Sequence, residues 1–457
     1  MTARRRLAFT LVGVLLGVVG TAGAHGAGLA SASGRSLDVP TWLFLLTGGG
    51  VIGASFLLAS FVTDRTFIRR VHGWQRAIMV PARRLVVAVG RVGGVAGLLF
   101  VLSVGFFGPQ ESLYNAAILV VWAGWWSGYA MTTYLVGNSW PVVNPWRSIA
   151  SVLPSLNRPY PDRLDAWPSV IGLLALIWLE VVSPVADQPR FLAGIVTAYT
   201  VVTLAGAVVF GSDTWFETVD PVSRVFRYFG RVAPVYAEDG GRLQFRIPGS
   251  GLSETELVTS RAEVGFVLAV LWVTTYDGFV ATPLWRRYAV RIVESGVPPN
   301  ILYAAALVAG YLLFVGIYWA AVRMSKRQAR TYRPVSDLAY RFAPPLVAIA
   351  AGYHLAHFLG YFLELSPALF GTLTAPLSPP EPAALIVPVW FGGLELTFVI
   401  LGHLLAIWVA HAAAYDIFPG KLQAIRSQYA TTAAIVCYTI VSLWIVSQPY
   451  AVPPYVS

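Results

Sequence analysis

Long apolar runs dominate this sequence and leave it few possible folds. Ten segments of 17 to 25 residues contain few charged side chains, and each can cross the roughly 30 Å of hydrocarbon in a bilayer. A helix satisfies its own backbone hydrogen bonds in lipid, so the sequence predicts an all-α polytopic transmembrane bundle of about ten helices. The predicted spans are 41–62, 92–108, 113–137, 167–184, 190–210, 262–280, 301–322, 342–363, 389–411 and 430–449.

The composition excludes a soluble globular protein. Charged residues make up only 12% of the chain and its mean hydropathy is +0.65, whereas a soluble domain carries about 25% charged residues. The single cysteine, Cys437, excludes a disulfide framework and a cysteine-based zinc site within one chain.

The N-terminus has the pattern of a secretory signal peptide. Arginines at 4–6 precede an apolar stretch over 7–19, and small residues at 22–24 form a cleavage site. The pattern predicts a signal peptide over 1–24, which makes His25 the mature N-terminus, and one polytopic membrane domain over 25–457. An uncleaved signal anchor is the alternative.

Basic residues predict the orientation in the cell membrane. The chain has a formal charge of +10, and arginines and lysines concentrate in the loops 63–91 and 323–341. The positive-inside rule assigns both loops to the inner side, so both mature termini lie outside. The loop 281–300 is the exception, with basic residues outside. Because this charge pattern sets orientation, nucleic acid is excluded as a partner; the bilayer is the predicted one.

The longest connection, 211–261, lies on the inner side of the membrane when the predicted spans are counted from an outer N-terminus. Its first part, 215–236, mixes aromatic residues with arginines and fits either an amphipathic helix on the membrane surface or an ordinary loop. The stretch 237–252, with Asp239-Gly240-Gly241 before alternating apolar residues, predicts a short hairpin.

Ionisable residues within the spans are the candidate functional groups, because each costs about 2.5–3.5 kcal/mol at a helix centre. His354 and His357 lie three apart in the eighth span and therefore share a helix face. Glu395 and His403 lie in the ninth span. With a rise of about 1.5 Å per residue, Glu395 is level with the histidine pair and His403 about one turn below.

Two further carboxylates, Glu180 and Asp277, lie near the outer ends of the fourth and sixth spans. If these helices meet, imidazoles and carboxylates converge on one cavity. Two histidines and a carboxylate suit iron, zinc or manganese, and copper is a further candidate. This predicts a metal held by His354, His357, Glu395 and His403, with Asp277 or Glu180 as catalytic base.

Other interpretations of the same residues stay open. The histidines can be hydrogen-bonded contacts between helices, a proton relay, or axial ligands of a haem through His354 and His403. A freed His25 could bind copper in a histidine brace. His72, in the arginine-rich loop, is predicted to contact lipid headgroups or solvent.

Several short motifs together resemble the bacterial and archaeal multi-pass family labelled fenitrothion hydrolase, over most of the chain after the signal. The matching segments are His25-Gly26, Val39-Pro40-Thr41-Trp42-Leu43-Phe44, Asn144-Pro145-Trp146-Arg147, Trp178-Leu179-Glu180, Gly211-Ser212-Asp213-Thr214-Trp215-Phe216, Tyr276-Asp277-Gly278-Phe279, Ala356-His357-Phe358, Gly402-His403 and Ala410-His411.

The resemblance implies hydrolysis of a phosphotriester, which is a neutral, lipophilic substrate that can reach a site from the bilayer. It favours a membrane metalloprotein that acts on a small apolar substrate as a metal-dependent hydrolase. A transporter of a metal ion or a small solute, using the same polar groups near the midplane, is the alternative from another functional class.

Overall fold

The structure is a computed structural model that describes residues 19–21, 41–79, 83–238, 242–388, 390–449 and 451–456. It confirms a helical bundle of the membrane type. The helices are α1 Thr41–Ser60, α2 Arg65–His72, α3 Arg83–Phe107, α4 Ala116–Leu119, α5 Ala130–Leu135, α6 Trp140–Val143, α7 Pro145–Ala150, α8 Trp167–Val182, α9 Pro189–Phe210, α10 Ser212–Thr214, α11 Pro221–Val232, α12 Arg261–Val280, α13 Pro283–Glu294, α14 Pro299–Ala329, α15 Val335–Phe342, α16 Pro345–Thr374, α17 Phe391–Ile417, α18 Lys421–Ser427 and α19 Tyr429–Val446.

Five short strands accompany the helices in the part of the chain that the structure describes. They are β1 Val19–Thr21, β2 Gln75–Ile78, β3 Val235–Ala237, β4 Leu243–Arg246 and β5 Ala383–Leu385. Strands β2, β4 and β3 form an antiparallel sheet in that order, and β1 pairs with β5. The rest of the predicted signal segment, with its cleavage site and His25, lies outside the described residues.

Seven helices in the described part of the chain are long and apolar enough to cross a membrane, and an eighth candidate joins α1 to α2 through a bend of 117°. The predicted fourth span corresponds to α8, which has only 16 residues. The predicted third span is divided, since the π-helix Val120–Tyr129 separates α4 from α5. Hydropathy therefore located these segments but not their internal geometry.

Helix α12 is the centre of the bundle, and nearly all of its residues are buried. It packs against α8, α14 and α16. Ser260 caps its N-terminus by accepting a hydrogen bond from the Glu263 N–H, and the Glu263 side chain accepts one from the Thr259 N–H. These reciprocal bonds resemble a capping box and satisfy donors that the first helical turn leaves free.

Helix α11, from the segment where the sequence allowed a surface helix, is largely buried. It packs against α5, α8 and α16. Its Arg224 is 2% exposed and lies 3.2 Å from the Glu263 carboxylate. A periodic mixture of apolar and basic residues fits a surface helix as well as a buried one, and this ion pair accounts for the burial of the charge.

The closest approach of two long helices is the crossing of α16 and α17. A Cβ atom on Gly352 would lie 2.7 Å from the Phe398 carbonyl oxygen and 2.8 Å from the Gly402 Cα atom. Backbone therefore packs directly on backbone, and a side chain at either glycine requires the helices to separate.

We expect Gly352→Ala to destabilise the protein by about 1–3 kcal/mol, because the new methyl group overpacks a contact made of backbone atoms. Thermal unfolding in detergent micelles measures the effect. Gly93→Ala in α3 is the matched control, since a Cβ atom there meets nothing within 4 Å. It should be neutral or stabilising by up to about 1 kcal/mol, because alanine is the better helix former. Equal stability of the two variants would contradict the tight crossing.

Candidate functional site

A histidine–aspartate pair lies between α12 and α16. The Nε2 atom of His357 is 3.2 Å from Oδ2 of Asp277, and the two side chains are 31% and 30% exposed. The pair is therefore partly accessible, although both residues belong to apolar helices. We call it the His357–Asp277 pair.

Two glutamates lie near this pair, and each comes from a different helix. Glu180 on α8 is close enough to Asp277 for the two carboxyl groups to interact electrostatically. Glu395 on α17 is within electrostatic range of His357, and its Oε1 atom lies 3.2 Å from the position of a Cβ atom on Gly360. The structure thus brings Glu180, Asp277, His357 and Glu395 into one region of the bundle.

His354 lies in a separate, aromatic environment. Its Nδ1 atom is 3.0 Å from the Tyr134 hydroxyl, and its Nε2 atom is buried without a hydrogen-bond partner. Four aromatic rings surround the imidazole with centroids 4.5 to 5.8 Å away. These rings belong to Trp126, Tyr134, Phe229 and Phe358.

His403 is fully buried on α17 and donates a hydrogen bond from Nδ1 to the Val399 carbonyl at 2.7 Å. Gly352 faces α17 at the helix crossing. His354 is two residues further along α16, about 200° around the helix, and so points away from α17. The structure does not bring His354 and His403 to a common point.

The structure therefore does not place the predicted ligands around one point, and the metal site stays a prediction. No group of three or more histidine, cysteine, aspartate or glutamate side chains in the described ranges is arranged to hold a metal ion. The haem alternative through His354 and His403 stays a prediction. We accordingly derive no chemical step through a metal or a haem.

An apolar cavity of about 160 Å³ adjoins Glu180. It is lined by α8, α9, α11 and the π-helix, including Trp122, Trp125 and Trp126. The indole N–H groups of Trp122 and Trp125 are buried without a partner. A π-helix is rare and often marks a functional site, and here it places three tryptophans in the wall of the cavity that Glu180 also lines.

The Asn-Pro-Trp-Arg segment and its surroundings are structural. Asn144 caps α7 through the Arg147 N–H at 3.0 Å, and the Arg147 side chain pairs with Asp213 and Glu217. Asp220 caps α11 and accepts a hydrogen bond from Tyr199, which lines the cavity. These polar groups bond one another and hold the cavity walls in place.

The sequence analysis missed Tyr353. Its ring stacks on His357 with centroids 6.1 Å apart, and its hydroxyl is buried without a partner. A Cβ atom on Gly278 would collide with that hydroxyl, so the glycine after Asp277 leaves room for the phenol. Tyr353 and His357 are four residues apart, and this spacing predicts that they share a helix face. Tyr134 and the unpartnered tryptophans carried no such signal.

The other described histidines make structural contacts. His411 is 2.9 Å from the Val62 carbonyl through Nε2 and 3.2 Å from Gln428 through Nδ1. His72 lies 3.1 Å from the Ser253 hydroxyl and stacks on Trp408.

No protein-family model, curated protein or solved structure matches this chain. The resemblance to the fenitrothion hydrolase family therefore stays a prediction from the motifs.

Proposed function

We propose that this chain is an integral membrane enzyme that hydrolyses small lipophilic esters of the organophosphate kind. The observation that carries the proposal is the contact between His357 and Asp277. Asp277 also interacts electrostatically with Glu180, which lines an apolar cavity. An imidazole held by a carboxylate is suited to general base catalysis. An apolar cavity is suited to a substrate that dissolves in the bilayer.

The proposed reaction needs only water as co-substrate. Asp277 holds one nitrogen of His357, and the other nitrogen removes a proton from water. The water oxygen forms a bond to phosphorus, and the bond between phosphorus and the leaving-group oxygen breaks with its electron pair. Glu180 serves as the acid: in its protonated form it donates a proton to the leaving alcohol or phenol, and it then recovers one from His357. General acid–base assistance of this kind contributes about 10²–10⁴-fold to a rate.

The metal-dependent form of this reaction, which the resemblance favours, needs a different arrangement of side chains. The unpartnered Nε2 atoms of His354 and His403 would have to reach one ion together with the carboxylates, whereas their Nδ1 contacts with Tyr134 and the Val399 carbonyl could stay in place. Metal analysis of the purified, dialysed protein tests this form, and one tightly bound zinc, iron, manganese or copper ion per chain would support it. A Soret absorbance band would support haem.

Hydrolysis of a chromogenic phosphotriester by the protein in lipid nanodiscs tests the proposed enzyme. We expect turnover by the wild type, loss of turnover in His357→Ala, and no change in Glu294→Gln, which alters an exposed acid at the end of α13. Equal rates in wild type and His357→Ala would refute the proposed base.

Transport of a cation is the second candidate, and one observation favours it. Asp277 and Glu395 both interact electrostatically with the His357 imidazole, and Glu180 interacts with Asp277. Acidic groups within a membrane often mark ion pathways. Cation uptake into proteoliposomes that is lost in Asp277→Asn, with no esterase activity in the wild type, would replace the enzyme proposal by this one.

The proposed topology retains ten spans, a cleaved signal peptide over 1–24 and both mature termini outside. The positions of the basic loops support this orientation. The His357–Asp277 pair then lies in the outer half of the membrane, because Asp277 is three residues from the end of α12.

A further inference from the structure

A second cavity is lined by a different set of residues from the cavity beside Glu180. It has a volume of about 250 Å³ and lies between α2, the strands β2 and β4, the turn Ser250–Ser253 and the end of α17. Its polar lining includes Arg69, His72, Gln75, Ser253, Glu254 and Asp416. We call it the α2 pocket.

The α2 pocket lies where the bundle meets the membrane surface. Helix α1 ends at Ser60, and the chain bends by 117° so that α2 runs across the end of the bundle. Arg65 on α2 donates hydrogen bonds to the carbonyl groups of Tyr415 and Pro419, at the end of α17. Phe67 and Trp74, on either side of the pocket in sequence, are 49% and 45% exposed. Basic residues beside exposed aromatic residues are typical of the headgroup region.

Two opposite charges face the α2 pocket without a hydrogen bond between them. Nε of Arg69 lies 3.8 Å from Asp416, and Arg341 lies 3.8 Å from the other oxygen of the same carboxylate. Both distances exceed the roughly 3.2 Å of a hydrogen bond. The Arg69 side chain is 69% exposed and that of Asp416 is 41% exposed, so both groups are accessible to a ligand.

Two further charged groups of the pocket are already paired, whereas the Nε2 atom of His72 is buried without a partner. Glu254 pairs with Arg231 and Arg246, and Arg246 also donates to the carbonyl groups of Gly230 and Ala233. Burial lowers the pKa of His72, and the nearby Asp416 opposes this shift only in part. His72 is therefore a neutral wall of the pocket at pH 7, and the charges available to a ligand are those of Arg69 and Asp416.

We propose that the α2 pocket binds the headgroup of a phospholipid with a primary ammonium group, such as phosphatidylethanolamine. The ammonium donates hydrogen bonds to Asp416, and the phosphate accepts them from Arg69. The lining, with one basic and one acidic side chain available, suits a zwitterionic headgroup. This site is independent of the proposed enzyme activity.

The chemistry of the two charges distinguishes among common phospholipids. Phosphatidylcholine presents a quaternary ammonium, which has no N–H group to donate to Asp416. Phosphatidylglycerol presents a phosphate for Arg69 but brings no cation. A preference for the primary ammonium is therefore the specific signature of this site, beyond a general attraction of arginine to anionic lipid.

Native mass spectrometry of the full chain tests the proposal, with lipid binding measured for phosphatidylethanolamine, phosphatidylcholine and phosphatidylglycerol in turn. We expect the wild type to bind phosphatidylethanolamine about tenfold more tightly than phosphatidylcholine, which is the worth of one charge-assisted hydrogen bond. Asp416→Asn should remove this preference, and Arg69→Gln should weaken the binding of all three lipids.

Asp337→Asn is the matched control, since Asp337 pairs with Arg333 on an exposed helix surface outside the pocket. It should retain the wild-type preference. Thermal unfolding in detergent shows whether each variant is folded, and Asp416→Ser, which also removes the carboxylate, replaces Asp416→Asn if the latter is not. Equal wild-type affinity for phosphatidylethanolamine and phosphatidylcholine would overturn the proposal. A preference that survives in folded Asp416→Asn would also overturn it.

Discussion

Asp277→Asn should reduce the rate of phosphotriester hydrolysis by about 10²–10⁴-fold, and His357→Ala should reduce it by a similar factor. The aspartate contacts the imidazole at 3.2 Å. It therefore selects which ring nitrogen carries the proton and stabilises the imidazolium that forms when water is deprotonated. Asparagine retains the shape of the side chain but not its charge, so the loss reports on the electrostatic role.

The double variant separates a joint role from two independent ones. When two groups act as a unit, removing both lowers the catalytic rate little more than removing one. We expect Asp277→Asn/His357→Ala to be about as slow as His357→Ala alone. The rates are measured in nanodiscs across a range of pH, with folding checked by thermal unfolding. Losses that multiply in the double variant would show that the two residues do not act as a pair.

A further variant tests the aromatic contact in the same region. Tyr353 stacks on His357, so Tyr353→Phe keeps the ring and removes only the hydroxyl. If the ring merely positions the imidazole, this variant retains the wild-type rate. A large loss would assign the unpartnered hydroxyl a direct role toward the substrate.

Hydropathy predicted the positions of the helices well. Unpaired backbone N–H and C=O groups are costly in lipid, and a long apolar segment avoids this cost by forming a helix. The predicted span 190–210 corresponds to α9, Pro189–Phe210, and 262–280 corresponds to α12, Arg261–Val280. The π-helix Val120–Tyr129 was not predictable in this way, because hydropathy does not show which carbonyl group accepts the hydrogen bond of each backbone N–H.

The sequence predicted the level of the candidate residues along the helix axes but not the directions in which their side chains point. A constant rise per residue placed Glu395 level with His354 and His357, and Asp277 near the same end of the bundle. The direction in which each side chain points depends on how the helices are rotated against one another. That rotation is set by contacts such as Gly352 on Gly402, which are distant in sequence. His354 and His403 consequently face different neighbours.

The burial of Arg224 was unpredictable for the same reason. The segment around it has the composition of a surface helix. The ion pair with Glu263, 39 residues further along the chain, offsets the cost of removing the Arg224 guanidinium from water. The guanidinium also lies over the Phe266 ring at 5.2 Å and donates to the Glu217 carbonyl. Arg224 therefore joins α11 to α12, the central helix of the bundle.

Glu263→Ala should destabilise the protein by about 3–5 kcal/mol, because it leaves the buried Arg224 without its counter-charge. Unfolding by sodium dodecyl sulfate in mixed micelles, followed by tryptophan fluorescence, measures the loss. Glu263→Gln separates two contributions, since it retains an acceptor for the Thr259 N–H but removes the charge. A loss in Glu263→Gln close to that in Glu263→Ala would assign most of the effect to the ion pair.

The double variant Arg224→Met/Glu263→Leu gives the decisive comparison. Apolar side chains of similar volume avoid the cost of burying two charges, so it should recover much of the stability lost in Glu263→Ala. Asp337→Ala is the control for an exposed pair and should cost no more than about 1 kcal/mol. If Glu263→Ala costs as little as Asp337→Ala, water reaches Arg224 in the native bundle. The packing of α11 against α12 would then be looser than the structure shows.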